Sequence, residues 1–331
     1  MSIEAFDRVH LDGTGIDRIT EDEVVAVVRD ALTRGQGGRI ITPNVDILRR
    51  AAADPRVRRH LDDADLIVAD GMPLVWASRL GGAPLPERVA GSSLIWSLSR
   101  GLGRDGRSVY VIGGTPAGAD RRIGGTSGRV AAGAPSRPSE PRTATTRAPG
   151  AERAPAGRVS GAERGAATRA SGAERAPAGR VSGAERGAAA RVSGAERAAA
   201  RLAAESPGLR IAGAVSPAFG FERNEAGYAR FRAEVIEAAP DLVFVGLGFP
   251  KQEIVIDRLR EHLPSTWFIG CGAAVNFVAG DVHRAPRWMQ RTGLEWAHRL
   301  GVEPRRLAGR YLRHDAPYAL RLLARAPRRR S

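Results

Sequence analysis

Residues 240–259 read "PDLVFVGLGFPKQEIVIDRL" and combine a strand signal, a glycine turn and a helix start. Residues 242–245 form a short apolar run, and Gly246 and Gly248 follow it. Pro250 suits the first turn of a helix, where the N–H group that proline lacks has no partner anyway. The stretch therefore predicts a β-turn-α unit.

The same unit recurs along the chain. Five more short apolar runs end in Gly, Asn, Asp or a small residue: "GRIITPN", "ADLIVADG", "RSVYVIGG", "GLRIAGAV" and "STWFIGCG". Helical patterns lie between most of them, and "TEDEVVAVVRDALTRG" opens with a capping box, Thr20 to Glu23. This alternation predicts an α/β fold: a Rossmann-like, mainly parallel sheet with helices on both faces.

Composition indicates a soluble globular protein. The chain has 331 residues, of which 43% are hydrophobic, and its single cysteine, Cys271, excludes an intramolecular disulfide. Its start resembles no signal peptide, and no run approaches the roughly 18 apolar residues of a membrane span. We therefore expect a cytoplasmic protein.

The net charge of +15 is unevenly distributed. Residues 121–201 carry 16 Arg against 6 acidic residues, and residues 284–331 carry 13 Arg against 3, which leaves the remainder mildly acidic. We expect a Rossmann-like catalytic domain over 1–122 and 199–283. We expect a low-complexity insertion over 123–198 and a basic, amphipathic helical appendage over 284–331.

The insertion is a tandem array. "GAER" recurs every 11 residues at Gly150, Gly161, Gly172, Gly183 and Gly194. An 11-residue period suits a helix, but the Gly and Pro in each unit favour disorder. The array contains no aromatic side chains to stack on bases, so a nucleic-acid-binding arm is not expected. Its last copy leads into a helical pattern, "GAERAAARLAAE".

The appendage alternates arginines with Trp, Tyr and Leu. Such helices bind anionic membrane surfaces. A helix packed on the body with a solvated arginine face explains the same pattern equally well.

Two predicted strand ends carry candidate catalytic residues. Thr42 and Asn44 follow "GRII", and Asp70 follows "LIVA", so both groups should lie at the carboxyl edge of the sheet, where ligands bind in such folds. Partial burial would raise the pKa of the Asp70 carboxyl toward that of a general base. Helix capping is the alternative role for Asn44 and Asp70.

A third strand end lies in the opening stretch. Lys251 is the only lysine of the chain, and with Gln252 it falls in a helix first turn after two glycines. A helix N-terminus and an ammonium group suit a phosphate. GC-rich coding, which favours arginine, would equally leave one lysine by chance.

Two familiar motifs are rejected. "GLGRDG" (101–106) matches GxGxxG but precedes a strand, whereas the dinucleotide-binding motif follows one. "DAD" (63–65) resembles a metal-binding DxD but falls at a helix end. We expect no metal and no cofactor.

Nine segments in order make the chain similar to a known family: "TPNVDIL", "ADLIVADGMPLVWASRL", "PERVAGSSL", "VYVIGG", "FGFE", "PDLVFVGLGFPKQE", "GCGAAVNFVAG", "RAPRWMQRTGLEWAHRL" and "EPRRLAGRYL". They resemble the WecG/TagA/CpsF family, glycosyltransferase family 26. The resemblance covers about residues 8–122 and 199–315.

The resemblance implies an inverting, metal-independent enzyme that moves an N-acetylhexosamine, often N-acetylmannosamine, from a UDP-sugar to a polyprenyl-diphosphate-linked sugar. It implies Asp70 as general base with Thr42 and Asn44 beside it, and Gln252 and Phe221 at the nucleotide. The appendage arginines would close over the diphosphate: Arg299, Arg305, Arg306 and Arg310. The other expected substrate contacts lie in the same motifs: Gly71, Arg88, Gly113, Gly114, Gly246, Gly248, Lys251, Glu253 and Asn276.

Asn276 stands where the family commonly has Asp, which puts donor choice in question. The products of such enzymes feed cell-wall teichoic acid, enterobacterial common antigen or exopolysaccharide, and the expected location is the inner face of the bacterial plasma membrane. Expected partners are the two substrates and an anionic membrane surface, and self-association stays open. The alternatives are an NAD(P)-linked Rossmann oxidoreductase and an inactive nucleotide- or polyanion-binding protein.

Overall fold

The computed structural model describes residues 6–118, 192–302 and 304–326. An antiparallel hairpin, β1 (Arg8–Leu11) and β2 (Thr14–Asp17), comes first and was not predicted. Helix α1 (Glu21–Thr33) follows, and the predicted capping box is present: Thr20 and Glu23 each accept a backbone hydrogen bond from the other residue.

The six predicted strands form one parallel sheet, which confirms the expected fold class. The strands are β3 (Gly38–Ile41), β4 (Leu66–Ile67), β5 (Ser108–Gly113), β6 (Arg210–Val215), β7 (Leu242–Gly246) and β8 (Trp267–Gly270). Their order is β4-β3-β8-β7-β5-β6, and every pairing is parallel. All six carboxyl ends therefore lie at one edge.

Helices cover both faces of this sheet. They are α2 (Val45–Ala53), α3 (Pro55–Asp62), α4 (Met72–Leu80), α5 (Gly91–Arg104), α6 (Gly194–Glu205), α7 (Glu225–Ala238), α8 (Lys251–Arg260) and α9 (Ala274–Ala279). Val109 and Val111 of β5 contribute to the core with α1, α5 and α6, whereas Tyr110 and Ile112 pack with α7 and α8. This alternation is the two-residue period of a strand buried on both faces.

Two of the three glycines of "GLGRDG" serve helix packing, which agrees with the rejection of this motif as a dinucleotide-binding site. Gly101 and Gly103 lie inside α5. A Cβ at Gly101 would lie 2.4 Å from the Val25 side chain, and one at Gly103 would lie 2.7 Å from the Pro207 carbonyl oxygen. Larger residues would push α5 away from its neighbours.

The last repeat copy belongs to the folded domain. Helix α6 begins at Gly194, ahead of the expected boundary at residue 199, and Ala195, Ala198 and Leu202 are buried. The Gly194 amide donates to the Thr115 carbonyl at 2.7 Å, so the chain re-enters the domain where it left β5. The expected disorder of the other copies concerns residues that lie outside the described part.

The appendage consists of short helices: α10 (Arg287–Thr292), α11 (Glu295–Val302), α12 (Pro304–Arg310), a π turn (Tyr311–Asp315) and α13 (Ala316–Arg325). Helix α13 packs on the body through buried Leu322, and the Tyr318 hydroxyl donates to Asp12 at 2.6 Å. None of the described helices is both long and apolar enough to span a bilayer.

Candidate functional site

Asp70 and Thr42 lie together at the carboxyl edge of the sheet, as predicted. The Asp70 amide donates to the Pro43 carbonyl at 3.0 Å, which joins the ends of β3 and β4. The Thr42 hydroxyl, in a buried residue, lies 3.4 Å from the Gly270 carbonyl at the end of β8. Parallel pairing of the three strands thus brings segments distant in sequence to one place.

Asp70 is surrounded by charged groups. Its side chain is 30% exposed, and Arg88 Nη1 lies 3.7 Å from its Oδ1. Burial has the largest effect on the pKa of the Asp70 carboxyl and raises it; the positive charges of Arg88 and Arg299 lower it. A carboxyl with a raised pKa is a stronger base than ordinary aspartate, which suits it to accept a proton.

Two residues of this site were missed by the sequence reasoning: Arg284 and Glu295. The Glu295 carboxylate lies 3.3 Å from Arg88, 3.2 Å from Arg299 and 3.8 Å from Arg284. We call these five residues, Asp70, Arg88, Arg284, Glu295 and Arg299, the Glu295 cluster. The available signal was that Glu295 is one of three acidic residues among 13 arginines in 284–331.

Arg284 connects the Glu295 cluster to α5 of the body. Arg284 donates to the Ser92 carbonyl at 3.2 Å and lies 3.4 Å from the Ser93 hydroxyl. Burial, with the neighbouring arginines, lowers the pKa of Arg284. Three guanidiniums and two carboxylates leave the cluster with one net positive charge, which favours an anionic ligand.

Asn44 caps α2. Its Oδ1 accepts from the Ile47 amide at 3.1 Å. The structure thus shows the capping role, and any contact of Asn44 with a substrate stays a prediction.

The glycines at the strand ends permit close backbone approach. A Cβ at Gly113 would lie 2.6 Å from the Gly246 carbonyl oxygen, and one at Gly114 would lie 2.8 Å from the Gly194 carbonyl carbon. Gly248 has φ +77°, a conformation that favours glycine. Gly71 is the N-cap of α4, directly after Asp70.

Lys251 is bound by a carboxylate. Its Nζ lies 2.9 Å from Glu222 Oε1 and 4.4 Å from the centre of the Phe219 ring. The hydrogen bond with Lys251 lowers the pKa of Glu222. The ammonium group therefore joins the start of α8 to residues 219–222, which follow β6.

Gln252 and Glu253 are buried and bonded to each other. Gln252 Nε2 donates to Glu253 Oε1 at 2.9 Å, and Gln252 Oε1 accepts from the Gly272 amide at 3.1 Å. Glu253 is fully buried against Arg39 at 2.6 Å. The structure does not bring the Glu253 carboxylate to the surface of the site, because Arg39 and Gln252 occupy its oxygens.

The two phenylalanines of "FGFE" differ in environment. The Phe221 ring lies 5.2 Å from the Phe231 ring and 6.1 Å from the Tyr228 ring, both on α7. Phe219 is 93% exposed. The ring expected to stack on a base therefore packs inward, and its neighbour points to solvent.

The remaining predicted site residues lie in different environments. Asn276 Oδ1 is buried with no hydrogen-bond partner. Arg310 lies 3.5 Å from Asp315, while Arg305 is exposed on α12. Of the four appendage arginines, the structure brings Arg299 to the Asp70 environment; the Arg306 side chain lies outside the described part.

Within the described ranges, no group of three or more His, Cys, Asp or Glu side chains is arranged to hold a metal ion. Asp65 of "DAD" instead accepts the Arg39 amide at 2.7 Å.

The chain is similar to known proteins of one family. A model of the glycosyl transferase WecG/TagA/CpsF family matches residues 9–132 and 155–331. Two relatives are both named N-acetylglucosaminyldiphosphoundecaprenol N-acetyl-beta-D-mannosaminyltransferase. The one from Bacillus spizizenii is 25% identical over 279 residues, 83% of this chain and 75% of the relative. The one from Bacillus subtilis is 36% identical over 105 residues, 32% of this chain and 39% of the relative.

The family match includes all six strands of the parallel sheet and the whole Glu295 cluster. The chain therefore belongs to the WecG/TagA/CpsF family of glycosyltransferases.

Proposed function

We propose that this enzyme transfers an N-acetylhexosamine, with N-acetylmannosamine as the first candidate, from a UDP-sugar to a polyprenyl-diphosphate-linked sugar. The proposal rests chiefly on one observation: Asp70 lies at the carboxyl edge of the sheet beside the arginines of the Glu295 cluster. The name shared by the two relatives supports the choice of sugars.

The proposed reaction is a single displacement that uses this arrangement. The acceptor hydroxyl oxygen attacks the anomeric carbon of the donor, and Asp70 takes the hydroxyl proton. The bond from the anomeric carbon to the UDP oxygen breaks on the opposite side, which inverts the configuration. Arg88, Arg284 and Arg299 stabilise the negative charge that develops on the diphosphate of the departing UDP. They do so without moving far, and such fixed groups lower the barrier.

The sheet sets the length of the proposed donor site. Asp70 follows β4 and Lys251 follows β7, three strands away in the order of the sheet. At about 4.8 Å per strand this separation is roughly 14 Å. That span is comparable to an extended nucleoside-diphosphate sugar.

We place the donor base on Phe219. This exposed ring has the Lys251 ammonium on it at 4.4 Å, and Glu222 holds that ammonium at 2.9 Å. Aromatic rings stack on any nucleobase, and stacking requires only that one face of the ring is accessible. Phe221, which packs against Tyr228 and Phe231, then anchors residues 219–222 to the fold.

The appendage provides a surface for the membrane that contains a polyprenyl substrate. Several of its apolar side chains are exposed: Trp288, Leu294, Trp296, Val302, Leu312 and Leu320. Arginines lie between them along the sequence, and each Arg near an anionic membrane contributes on the order of 1 kcal/mol. Helix α13 also packs on the body through Leu322. We therefore assign packing on the body to the buried face of the appendage and membrane binding to its exposed face.

The deciding experiment offers a panel of UDP-sugars with a prenyl-diphosphate-GlcNAc acceptor and identifies the product by mass spectrometry. A product heavier by one N-acetylhexosamine supports the proposal. No transfer from any UDP-sugar, together with protection from thermal unfolding by NADH and not by UDP, would favour the oxidoreductase alternative.

A further inference from the structure

The Glu295 carboxylate lies between three guanidinium groups, one from the body and two from the appendage. Its Oε2 is 3.3 Å from Arg88, which precedes α5. Its Oε1 is 3.8 Å from Arg284, which precedes α10, and 3.2 Å from Arg299 on α11. One carboxylate therefore connects the body to the appendage.

This arrangement differs from a surface ion pair. The Glu295 side chain is 11% exposed, and a buried carboxylate is stable only when it is paired. Arg284 and Arg88 are also mostly buried, at 20% and 16% exposure. Without the carboxylate, three positive charges close together would repel one another.

Two arginine nitrogens of the cluster have unused hydrogen-bonding capacity. Nε of Arg284 and Nε of Arg299 are buried and make no hydrogen bond, although Nε of Arg284 lies 3.8 Å from Glu295 Oε1. Buried donors are nearly always bonded in a working protein, and an arginine fork matches phosphate oxygens. Both nitrogens therefore retain a donor for an anionic oxygen of a ligand.

We propose that Glu295 is a positioning residue, which holds Arg284 and Arg299 beside Asp70 so that they bind the substrate diphosphate. This inference rests on the proposed function, because that function supplies the diphosphate. Glu295 itself touches neither substrate. It acts through the arginines: Arg299 lies one turn along the same helix, and the fold brings Arg284 to it.

The test is a double-mutant cycle in the full chain. The proteins are wild type, Glu295→Gln, Arg299→Ala and the double variant, with kcat/KM measured for each. If Glu295 positions Arg299, each single change lowers kcat/KM at least ten-fold. The kcat/KM of the double variant should then lie within about two-fold of that of the less active single variant, since the effects of coupled residues are not additive. Single effects that multiply would overturn the proposal.

A second readout needs no turnover. Arg299 lowers the pKa of Asp70, so Arg299→Ala should raise the midpoint of the Asp70 carboxyl titration, followed by ¹³C NMR. On the Glu295→Gln background the same change should leave the midpoint unmoved. An equal rise of the midpoint on both backgrounds would overturn the positioning proposal. The titration gives this answer even if the enzyme uses no UDP-sugar, so the positioning proposal and the proposed function can fail independently.

Glu205→Gln is the matched control, because Glu205 also forms an i,i+4 contact with an arginine, Arg201, but far along the chain from the site. It should leave both readouts unchanged. If Glu295→Gln folds poorly, Glu295→Asp keeps the charge and replaces it in the cycle. Arg299→Ala should then have a smaller effect on that variant than on wild type, and an undiminished effect would count against positioning.

Discussion

Arg88 Nη1 lies 3.7 Å from the Asp70 carboxylate and 3.3 Å from the Glu295 carboxylate, so one guanidinium joins the proposed base to the appendage. Asp70 follows a strand of the body, and Glu295 opens α11. The chemistry proposed for Asp70 therefore depends on a contact between the Rossmann-like domain and the appendage.

Asp70→Asn should lower kcat by 10² or more while the affinity for UDP stays nearly unchanged. The amide has almost the same shape as the carboxylate but cannot take the acceptor proton, and general bases typically contribute 10² to 10⁴ in rate. Steady-state kinetics and calorimetric titration with UDP measure the two quantities. A variant as active as wild type would dismiss the base assignment.

The acid limb of the pH profile should lie above the ordinary aspartate pKa. Burial raises the pKa of Asp70, and only the ionised carboxylate accepts a proton, so kcat/KM should fall as the pH drops through that raised pKa. Arg88 lowers the pKa, so Arg88→Gln should move the limb to higher pH. Arg88→Lys keeps the charge and is the control, and a limb that stays in place in Arg88→Gln would contradict this account.

Phe219→Ala should weaken UDP binding roughly 5- to 150-fold, the effect of losing one stacked base. Pyrophosphate, which has no base, should bind equally well to the variant and to wild type. Calorimetric titration with both ligands makes this comparison.

Phe221→Ala is the matched control for that prediction. Its ring packs among Phe231 and Tyr228, so its loss should lower the melting temperature more than the UDP affinity. Greater loss of UDP affinity in Phe221→Ala than in Phe219→Ala would return the base to the position implied by the family resemblance.

Replacing exposed apolar residues of the appendage should weaken binding to anionic vesicles. A Trp288→Ser, Leu312→Ser, Leu320→Ser variant removes side chains that are 60%, 62% and 68% exposed, so the fold should keep its melting temperature. Vesicle sedimentation at several salt concentrations measures the binding. Leu322→Ser is the contrasting change, because this buried side chain should destabilise the protein, and unchanged sedimentation of the triple variant would exclude this surface.

Arg39→Met should destabilise the protein by about 3–5 kcal/mol, because it leaves Glu253 buried without its positive partner. Chemical denaturation measures the free energy of unfolding. Glu205→Gln, at an exposed helix end, should change it by less than about 0.5 kcal/mol. A small effect of Arg39→Met would show that water or rearrangement satisfies Glu253.

Much of the fold was readable because its signals are local. The six apolar runs, the capping box at Thr20 and the rejection of "GLGRDG" each depend on a few neighbouring residues, and the structure agrees with all three. The hairpin before α1 was missed, since its strands, RVHL and TGID, contain no continuous apolar run. The start of α6 was placed late because a repeat copy forms its first turn.

The sequence by itself determined the parallel α/β sheet and the placement of Thr42 and Asp70 at its carboxyl edge, because strand ends follow from apolar runs and parallel strands share one edge. Only the tertiary structure decided which charges meet there. Arg88 and Glu295 are 207 residues apart, and no local pattern relates them. The tertiary structure also decided that Lys251 pairs with Glu222, that Phe221 packs inward and that Phe219 is exposed, since side-chain partners depend on how distant elements pack.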